Sequence, residues 1–188
     1  MKRSSVVLMG KRSATGKDTS GNTLTWFFYM LCKHSQIQEI VALEVNEATG
    51  SSDYTNSIDE FSIQLIESAL DKMHYLHAAL TETLRLYTVV PLDGKRLEGD
   101  DVLPDGFKIK KGDGVNYMAY PVGRMTYIWG EDAEEFWPER RLYDGVFQPE
   151  SPFKFTAFQA GPRMCLGKEF AYRQMKIMAT FLVFFFKF

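Results

Sequence analysis

A cysteine between two glycines is the residue of this sequence best placed to do chemistry. Cys165 lies in the run Phe-Gln-Ala-Gly-Pro-Arg-Met-Cys-Leu-Gly, residues 158–167, called the cysteine loop below. A thiolate is a strong metal ligand, and the start of a helix stabilises its negative charge with unpaired N–H groups and a positive dipole end. The residues that follow Gly167 predict such a helix. Cys165 is therefore a candidate metal ligand, and the alternative is a buried structural cysteine.

The neighbours of this cysteine suit a large, flat ligand. Gly161 and Gly167 lack side chains, so the backbone can turn tightly and a ligand can approach it closely. Arg163 supplies a fixed cation within reach of a ligand carboxylate. Phe158 is placed to shield the sulfur from water, and dry surroundings tune the redox potential of a metal-bound sulfur. The loop thus predicts a metal-bound sulfur beside a flat ligand.

The cysteine loop resembles, position for position, the Phe-x-x-Gly-x-Arg-x-Cys-x-Gly loop of the cytochrome P450 monooxygenases. The resemblance implies that the cofactor is haem b (iron protoporphyrin IX) and that Cys165 is the axial ligand of its iron. It also implies that Phe158, Gly161, Arg163 and Gly167 contact the haem.

A second motif of the same family surrounds Glu82. Glu82 and Arg85 are three residues apart, on one face of a predicted helix, although most such pairs are solvated and contribute little. The family combines this pair with a Pro-Glu-Arg segment upstream of the cysteine, which residues 138–140 match. The resemblance implies a buried ion network of Glu82, Arg85 and Arg140. Arg141 replaces the usual aromatic residue and is predicted to loosen the local packing.

The third motif, Thr15–Ser20, resembles the oxygen-activating segment of these enzymes. The resemblance implies that Gly16 opens a notch in a helix for dioxygen, and that Asp18 and Thr19 relay protons to the bound oxygen. Thr15 stands where the family usually has Ala or Gly, and its bulk is expected to crowd the notch.

The same stretch invites a phosphate-binding interpretation, because apolar residues lead to Gly10 and then to Gly16-Lys17. A phosphate-binding loop needs four residues between its glycines and a hydroxyl after the lysine. Here five residues intervene and an aspartate follows, which argues against nucleotide binding. Lys11 and Arg12 also depart from the family, whose residues here are usually apolar.

The remaining implied sites concern the substrate and the electron donor. Val89, Val90, Pro91 and Leu92 match a family segment that lines the substrate cavity, and Arg96 (or the neighbouring lysine) is expected to reach a haem propionate. A set of basic residues around the cysteine loop forms either a docking face for an acidic electron donor or an ordinary solvated face. The set is Lys154, Arg163, Lys168, Arg173 and Lys176.

Hydrophobic periodicity predicts a mainly α fold with a small β component. The resemblance implies that this is the carboxy-terminal part of the cytochrome P450 fold, in one partial catalytic domain over residues 1–188. The predicted long helices cover 1–34, with Gly10 as a candidate break, 36–49, 63–87 and 167–184. Two short helices are predicted over 122–129 and 132–136, a hairpin over 107–117, and irregular structure over 138–158.

Composition sets the remaining bounds. A chain of 188 residues with 45% hydrophobic and 24% charged residues is globular, and a net charge of −2 argues against a nucleic-acid binder. Two distant cysteines give no disulfide framework and favour reducing surroundings. No signal peptide opens the sequence, and Ile177–Phe188 is too short to span a bilayer. His74 and His77 are a possible metal pair, with a structural role as the favoured alternative.

Residues 72–87, 112–138 and 155–177 look most like plant long-chain fatty-acid ω-hydroxylases. The resemblance implies insertion of one atom of O2 into a C–H bond of a lipophilic substrate. Electrons would come from NADPH–cytochrome P450 reductase, so that NADPH acts only indirectly. A full-length member would lie on the cytosolic face of the endoplasmic reticulum membrane.

The family's proteins are much longer, so the resemblance also implies that this chain is a carboxy-terminal fragment without the membrane anchor. We expect it, on its own, not to hold haem in an active geometry. The alternative to an enzyme is a truncated, non-catalytic interaction module or a non-functional gene product.

Overall fold

The computed structural model describes residues 3–50 and 57–188, with side chains described from residue 16 onward. Helices dominate these ranges, and the strands are short. The helices are α1 (Arg3–Lys33), α2 (Ser35–Thr49), α3 (Ile58–Gln64), α4 (Glu67–Lys72), α5 (His74–Leu86), α6 (Ala119–Val122), α7 (Thr126–Trp129) and α8 (Lys168–Phe185). The strands are β1 (Asp93–Arg96), β2 (Asp101–Val102), β3 (Lys108–Ile109), β4 (Gly114–Tyr117), β5 (Leu142–Tyr143) and β6 (Val146–Phe147). The prediction of a mainly α fold with a small β component is confirmed.

The core lies where α1, α2, α5 and α8 pack together. On α8 the buried residues include Tyr172, Met175, Ala179 and Val183, a spacing of three to four that turns one face of the helix inward. Most of α5 is buried, because α1, α2 and α8 all contact it. The central helix α5 therefore takes its position from three others.

The predicted long helix over 63–87 is wrong, because the chain breaks twice in that range. Ile66 is extended, with φ −86° and ψ 167°, and it separates α3 from α4. Met73, with φ −79° and ψ 77°, separates α4 from α5. A capping box at Ser57 and Glu60 starts α3 at Ile58, five residues before the predicted beginning, since each side chain accepts the other's backbone N–H. The apolar periodicity continues across both breaks, so it did not reveal them.

The predicted hairpin over 107–117 is also wrong, although both of its strands exist. Instead, β4 pairs antiparallel with β1, and β3 pairs antiparallel with β2. The Gly112 turn between β3 and β4 bonds to the preceding segment, since the Gly112 N–H donates to the Leu97 carbonyl at 2.9 Å. Local alternation therefore identified strands but not their partners.

The chain from 119 to 158 contains short elements that hold the ion network. The predicted helix over 122–129 is two helices, α6 and α7, and residues 132–136 form turns where a helix was predicted. The stretch 138–158, predicted as irregular, holds a 3-10 turn at Pro138–Arg141, the β5–β6 pair and a second 3-10 turn at Thr156–Phe158.

Helix α1 continues through Gly10, so the expected break there is wrong. The side chains of Lys11, Arg12 and Thr15 lie outside the described residues. Among the helices that are described, none is both long and apolar enough to cross a bilayer.

Candidate active site

Cys165 lies in an exposed turn just before α8. The Cys165 N–H donates to the Phe158 carbonyl at 2.8 Å, and the Lys168 N–H donates to the Cys165 carbonyl at 3.3 Å. Gly161 has φ 62°, a left-handed conformation that favours glycine, and begins a short 3-10 turn ending at Arg163. Gly167 caps α8, which begins one residue later than predicted. The loop thus places the sulfur at the amino-terminal end of the helix.

One cavity of about 280 Å³ brings together residues from three of the predicted motifs. Its lining includes Thr19 from α1, Val89 and Val90 from the segment after α5, and Phe158, Arg163 and Cys165 from the cysteine loop. Leu84 and Met175 add apolar wall. A threonine on one helix and a cysteine of a distant loop therefore line a shared, largely apolar space.

Several other predicted site residues do not line this cavity. Asp18 is exposed on α1, and Gly16 is half-buried, with open space where a side chain would start. The Thr19 hydroxyl donates to the Gly16 carbonyl at 3.0 Å, inside the helix. Pro91, Leu92 and Arg96 are exposed and also lie outside the cavity lining, as do Gly161 and Gly167. Their roles stay predictions.

Ser20 is a cavity residue that the sequence reasoning did not single out. It is 8% exposed, lines the cavity, and its Oγ has no hydrogen-bond partner among the described residues. Because a buried hydroxyl without a partner is costly, the position suits a bound molecule or water that would complete it. The hydroxyl next to Thr19 in the third motif was the available signal.

Glu82 and Arg85 form a buried bidentate pair on α5. The Arg85 Nε and Nη2 donate to the two Glu82 carboxylate oxygens at 2.9 and 2.6 Å, and both side chains are fully buried. Arg85 also donates to the carbonyls of Gly123, Ala133 and Glu135. Gly123 has to be glycine, since a Cβ there would collide with the Arg85 carbonyl oxygen.

Arg140 joins this pair from the 3-10 turn, as the resemblance implied. Its Nε lies 3.3 Å from Glu82, and its other nitrogens donate to the Trp129 carbonyl at 2.8 Å and to Asp132 at 2.8 and 2.9 Å. The hydrogen bond from Arg140 holds the pKa of the Asp132 carboxyl below its ordinary value. The network thus connects α5 to the whole stretch between Gly123 and Arg140.

The family model for cytochrome P450 matches residues 6–188, which is nearly the whole chain. The chain belongs to the cytochrome P450 family. It is 57% identical over 177 residues to cytochrome P450 704C1 of Pinus taeda, covering 92% of this chain and 34% of that protein. It is 47% identical over 174 residues to cytochrome P450 86B1 of Arabidopsis thaliana, covering 92% and 31% respectively. Alkane hydroxylase MAH1 of the same plant is 40% identical over 169 residues, covering 89% and 31%. The chain therefore spans about a third of the length of the curated relatives it matches.

Haem, the cofactor of cytochrome P450 proteins, fits the residues present. No group of three His, Cys, Asp or Glu side chains able to hold a bare metal ion occurs within residues 3–50 and 57–188 as described. A porphyrin supplies four nitrogens of its own, so its iron would need only one protein donor, and Cys165 could be that donor. The apolar walls, the unpartnered Ser20 hydroxyl and the Arg163 guanidinium in the cavity lining suit a flat apolar ring with carboxylate substituents.

Arg141, which replaces the usual aromatic residue of the cytochrome P450 motif, is 1% exposed. Its guanidinium lies 4.8 Å from the ring centres of both Trp129 and Phe155, and its Nε is 3.9 Å from Glu82. None of its three side-chain nitrogens has a hydrogen-bond partner in the described structure. Burial lowers the pKa of Arg141 from its ordinary value. The substitution leaves the site filled and adds a poorly satisfied buried charge.

Aromatic contacts connect the cysteine loop of this cytochrome P450 chain to α5. The Phe158 ring lies 5.3 Å from Tyr172, whose hydroxyl is 3.0 Å from that of Thr81, and burial raises the pKa of Tyr172. His77 stacks on Tyr172 at 4.3 Å, and its burial lowers its pKa to about 3. These contacts give His77 a packing role.

One member of the predicted basic face is not on the surface. Lys176 is buried, and its Nζ donates at 2.8 Å to the carbonyl of Leu70, which lies in the carboxy-terminal part of α4. Three other members form ion pairs: Lys154 with Glu150, Lys168 with Glu169, and Arg173 with Glu67. The predicted face therefore loses Lys176, and three of its four remaining cations are paired.

Proposed function

We propose that this chain carries the haem-thiolate side of a monooxygenase that hydroxylates a C–H bond of a lipophilic molecule. The observation that carries the proposal is the shared cavity, which Cys165 and Thr19 line from two separate elements. A thiol donor and a hydroxyl around one apolar space are the protein groups that such a reaction needs.

In this proposal the chain's residues divide into ligand, anchor and proton-handling groups. The Cys165 sulfur would hold the iron, and Arg163 would bind a haem carboxylate. Haem, when bound, supplies the reductive activation of O2. The Phe158 ring lines the same cavity as Cys165, and its contact with Tyr172 holds the ring in place.

Thr19 and Ser20 are the proposed proton-handling residues at the cavity. Thr19 Oγ1 donates to the Gly16 carbonyl, which leaves its lone pairs available to accept a hydrogen bond from water or a bound ligand. Ser20 Oγ has both donor and acceptor capacity unused among the described residues. Asp18, one residue before Thr19, is exposed and can exchange protons with solvent.

The proposed substrate is a long-chain fatty acid or an alkane-like chain. Val89, Val90, Leu84 and Met175 give the cavity apolar walls, and one relative is named an alkane hydroxylase. Electrons would come from NADPH through NADPH–cytochrome P450 reductase, at the cytosolic face of the endoplasmic reticulum membrane, as for the family.

The decisive test is a haem titration of the 188-residue chain. We expect bound haem to show the Soret absorption of thiolate ligation, and Cys165→Ser to abolish it. Cys32→Ser is the matched control, because Cys32 is the other exposed cysteine. We expect this control to leave the spectrum unchanged. Equal spectra for Cys165→Ser and the unaltered chain would overturn the assignment.

A non-catalytic binding module is the second candidate, and the exposure of residues 161–167 favours it. An exposed sulfur is poorly shielded from water, so we expect the ferrous carbonyl band of thiolate ligation to be partial in this chain. A folded chain that binds no haem would favour the module over the enzyme. A full thiolate band with hydroxylation of lauric acid would favour the enzyme.

A further inference from the structure

Gln159 has a backbone conformation that an ordinary side chain rarely adopts. It follows Phe158 in the cysteine loop and has φ 62° and ψ −177°, a combination used almost only by glycine. Such a conformation persists only where surrounding contacts hold it.

The conformation of Gln159 determines a hydrogen bond to the cysteine. The Phe158 carbonyl, which accepts the Cys165 N–H at 2.8 Å, belongs to the same rigid peptide plane as the Gln159 nitrogen. Rotation about φ of Gln159 toward an ordinary value would turn that carbonyl relative to the rest of the loop. The Cys165 hydrogen bond thus depends on the strained conformation.

The side chain of Gln159 is held from outside the loop. Its Nε2 donates to Oδ2 of Asp93, the first residue of β1 and 66 positions away in the sequence. The other carboxylate oxygen, Oδ1, accepts the Gly94 N–H at 2.9 Å. Asp93 is itself fixed by the pairing of β1 with β4, in which it lies opposite Tyr117.

We propose that Asp93 is a positioning residue for the haem-ligand cysteine. It holds the Gln159 amide, and thereby the peptide plane whose carbonyl receives the Cys165 N–H, so that the sulfur is already placed before a ligand arrives. Asp93 does not line the cavity, whereas Gln159, Phe158 and Cys165 do. Its importance for haem rests on the proposed function, but the positioning itself concerns only contacts within this chain.

The test is amide hydrogen exchange at Cys165 in the haem-free chain, measured by NMR. We expect Asp93→Ala to raise the exchange rate about tenfold or more, the effect of losing one hydrogen bond to a charged group. Asp101→Ala is the matched control, because Asp101 also begins a strand and its side chain also accepts the N–H of the next residue. The Val102 N–H donates to Asp101 Oδ1 at 2.8 Å. The same exchange rate for both variants would overturn the proposal.

Gln159→Gly completes a double-mutant cycle with Asp93→Ala. Glycine adopts the required conformation without strain and has no side-chain amide for Asp93 to hold. In that background Asp93→Ala should leave Cys165 exchange unchanged. An undiminished effect of Asp93→Ala would show that Asp93 acts by another route. If Asp93→Ala does not fold, Asp93→Asn replaces it in the test. Because asparagine retains one acceptor oxygen, we expect the Cys165 exchange rate in Asp93→Asn to be only about threefold or more above that in Asp101→Asn. Equal rates for those two would contradict the proposal.

Haem affinity then separates this inference from the proposed function. If haem binds through Cys165, Asp93→Ala should weaken binding by a factor similar to its effect on exchange, because an ordering step precedes ligation. If the chain binds no haem, the exchange measurements still decide the role of Asp93. A changed exchange rate with unchanged haem affinity would overturn the link to the cofactor.

Discussion

Arg140 and Arg141 are adjacent in the sequence, yet their surroundings differ. Arg140 reaches two carboxylates and two carbonyls, whereas Arg141 lies between two aromatic rings without a hydrogen-bond acceptor in the described structure. The rings offset part of the cost of burying the Arg141 charge. Substitution of the two residues should therefore affect stability in opposite directions.

We expect Arg141→Phe to raise the free energy of unfolding by about 1–3 kcal/mol, because it replaces an unsatisfied buried cation with an apolar ring. Arg140→Phe should lower it by about 3–5 kcal/mol, since Glu82 and Asp132 lose a partner. Urea denaturation of both variants measures the difference. A loss of stability in Arg141→Phe would mean that its 3.9 Å contact with Glu82 outweighs the burial cost.

At the scale of elements, the break at Met73 is held from both sides. Glu44 on α2 accepts the Tyr75 and Leu76 N–H groups at 2.6 and 2.7 Å, which caps the start of α5. Lys176 on α8 donates to the Leu70 carbonyl of α4. The half-buried carboxylate of Glu44 and the buried ammonium of Lys176 thus fix the junction that orients the ion-network helix.

We expect Glu44→Ala to lower the free energy of unfolding by about 2 kcal/mol, because two N–H groups at the start of α5 lose their acceptor. Glu44→Gln retains an acceptor oxygen and should lose less. Burial raises the pKa of Glu44, so the charge itself is a cost that the amide avoids. Chemical denaturation gives the values, and Glu47→Ala, on the exposed side of α2, should stay within about 0.5 kcal/mol of the unaltered chain.

The elements also show what the sequence could predict. The motif residues and the range of α8 were predictable, because fixed spacing and periodicity report local structure. The α4–α5 break and the pairing of β1 with β4 were not, because Glu44, Lys176 and the partner strand lie far away in the sequence. Asp93 and Gln159 escaped notice for the same reason, since only the fold brings them together.

At the scale of the whole molecule, buried titratable groups couple stability to pH. His77 lies between Phe147 and Tyr172, and its burial, with Lys176, Lys168 and His74 nearby, lowers its pKa from 6.5 to about 3. Between these values the unfolded chain binds a proton that the folded chain does not. Acidification below pH 6.5 therefore favours unfolding. The stability that the folded chain gains from keeping His77 neutral is fully present above pH 6.5.

We expect His77→Phe to make the chain less sensitive to acid. Because the pKa of His77 is lowered, the free energy of unfolding of the unaltered chain should fall by about 1–2 kcal/mol between pH 7 and pH 5. The phenylalanine variant should lack this loss. Phenylalanine preserves both ring contacts, so the comparison isolates the proton. Denaturation midpoints at the two pH values measure it, and parallel shifts for both proteins would contradict the assignment to His77.

The cavity is built from the first and the last helical regions of the described chain, with Thr19 on α1 and Cys165 just before α8. Synthesis proceeds from α1 to α8, so the helices that pack on α8 emerge from the ribosome before their partner exists. Contacts between distant parts of a chain also form slowly, because a long loop has to close. A nascent chain that ends before α8 cannot assemble this pocket, and it exposes the faces of α1, α2 and α5 to chaperones until α8 has emerged.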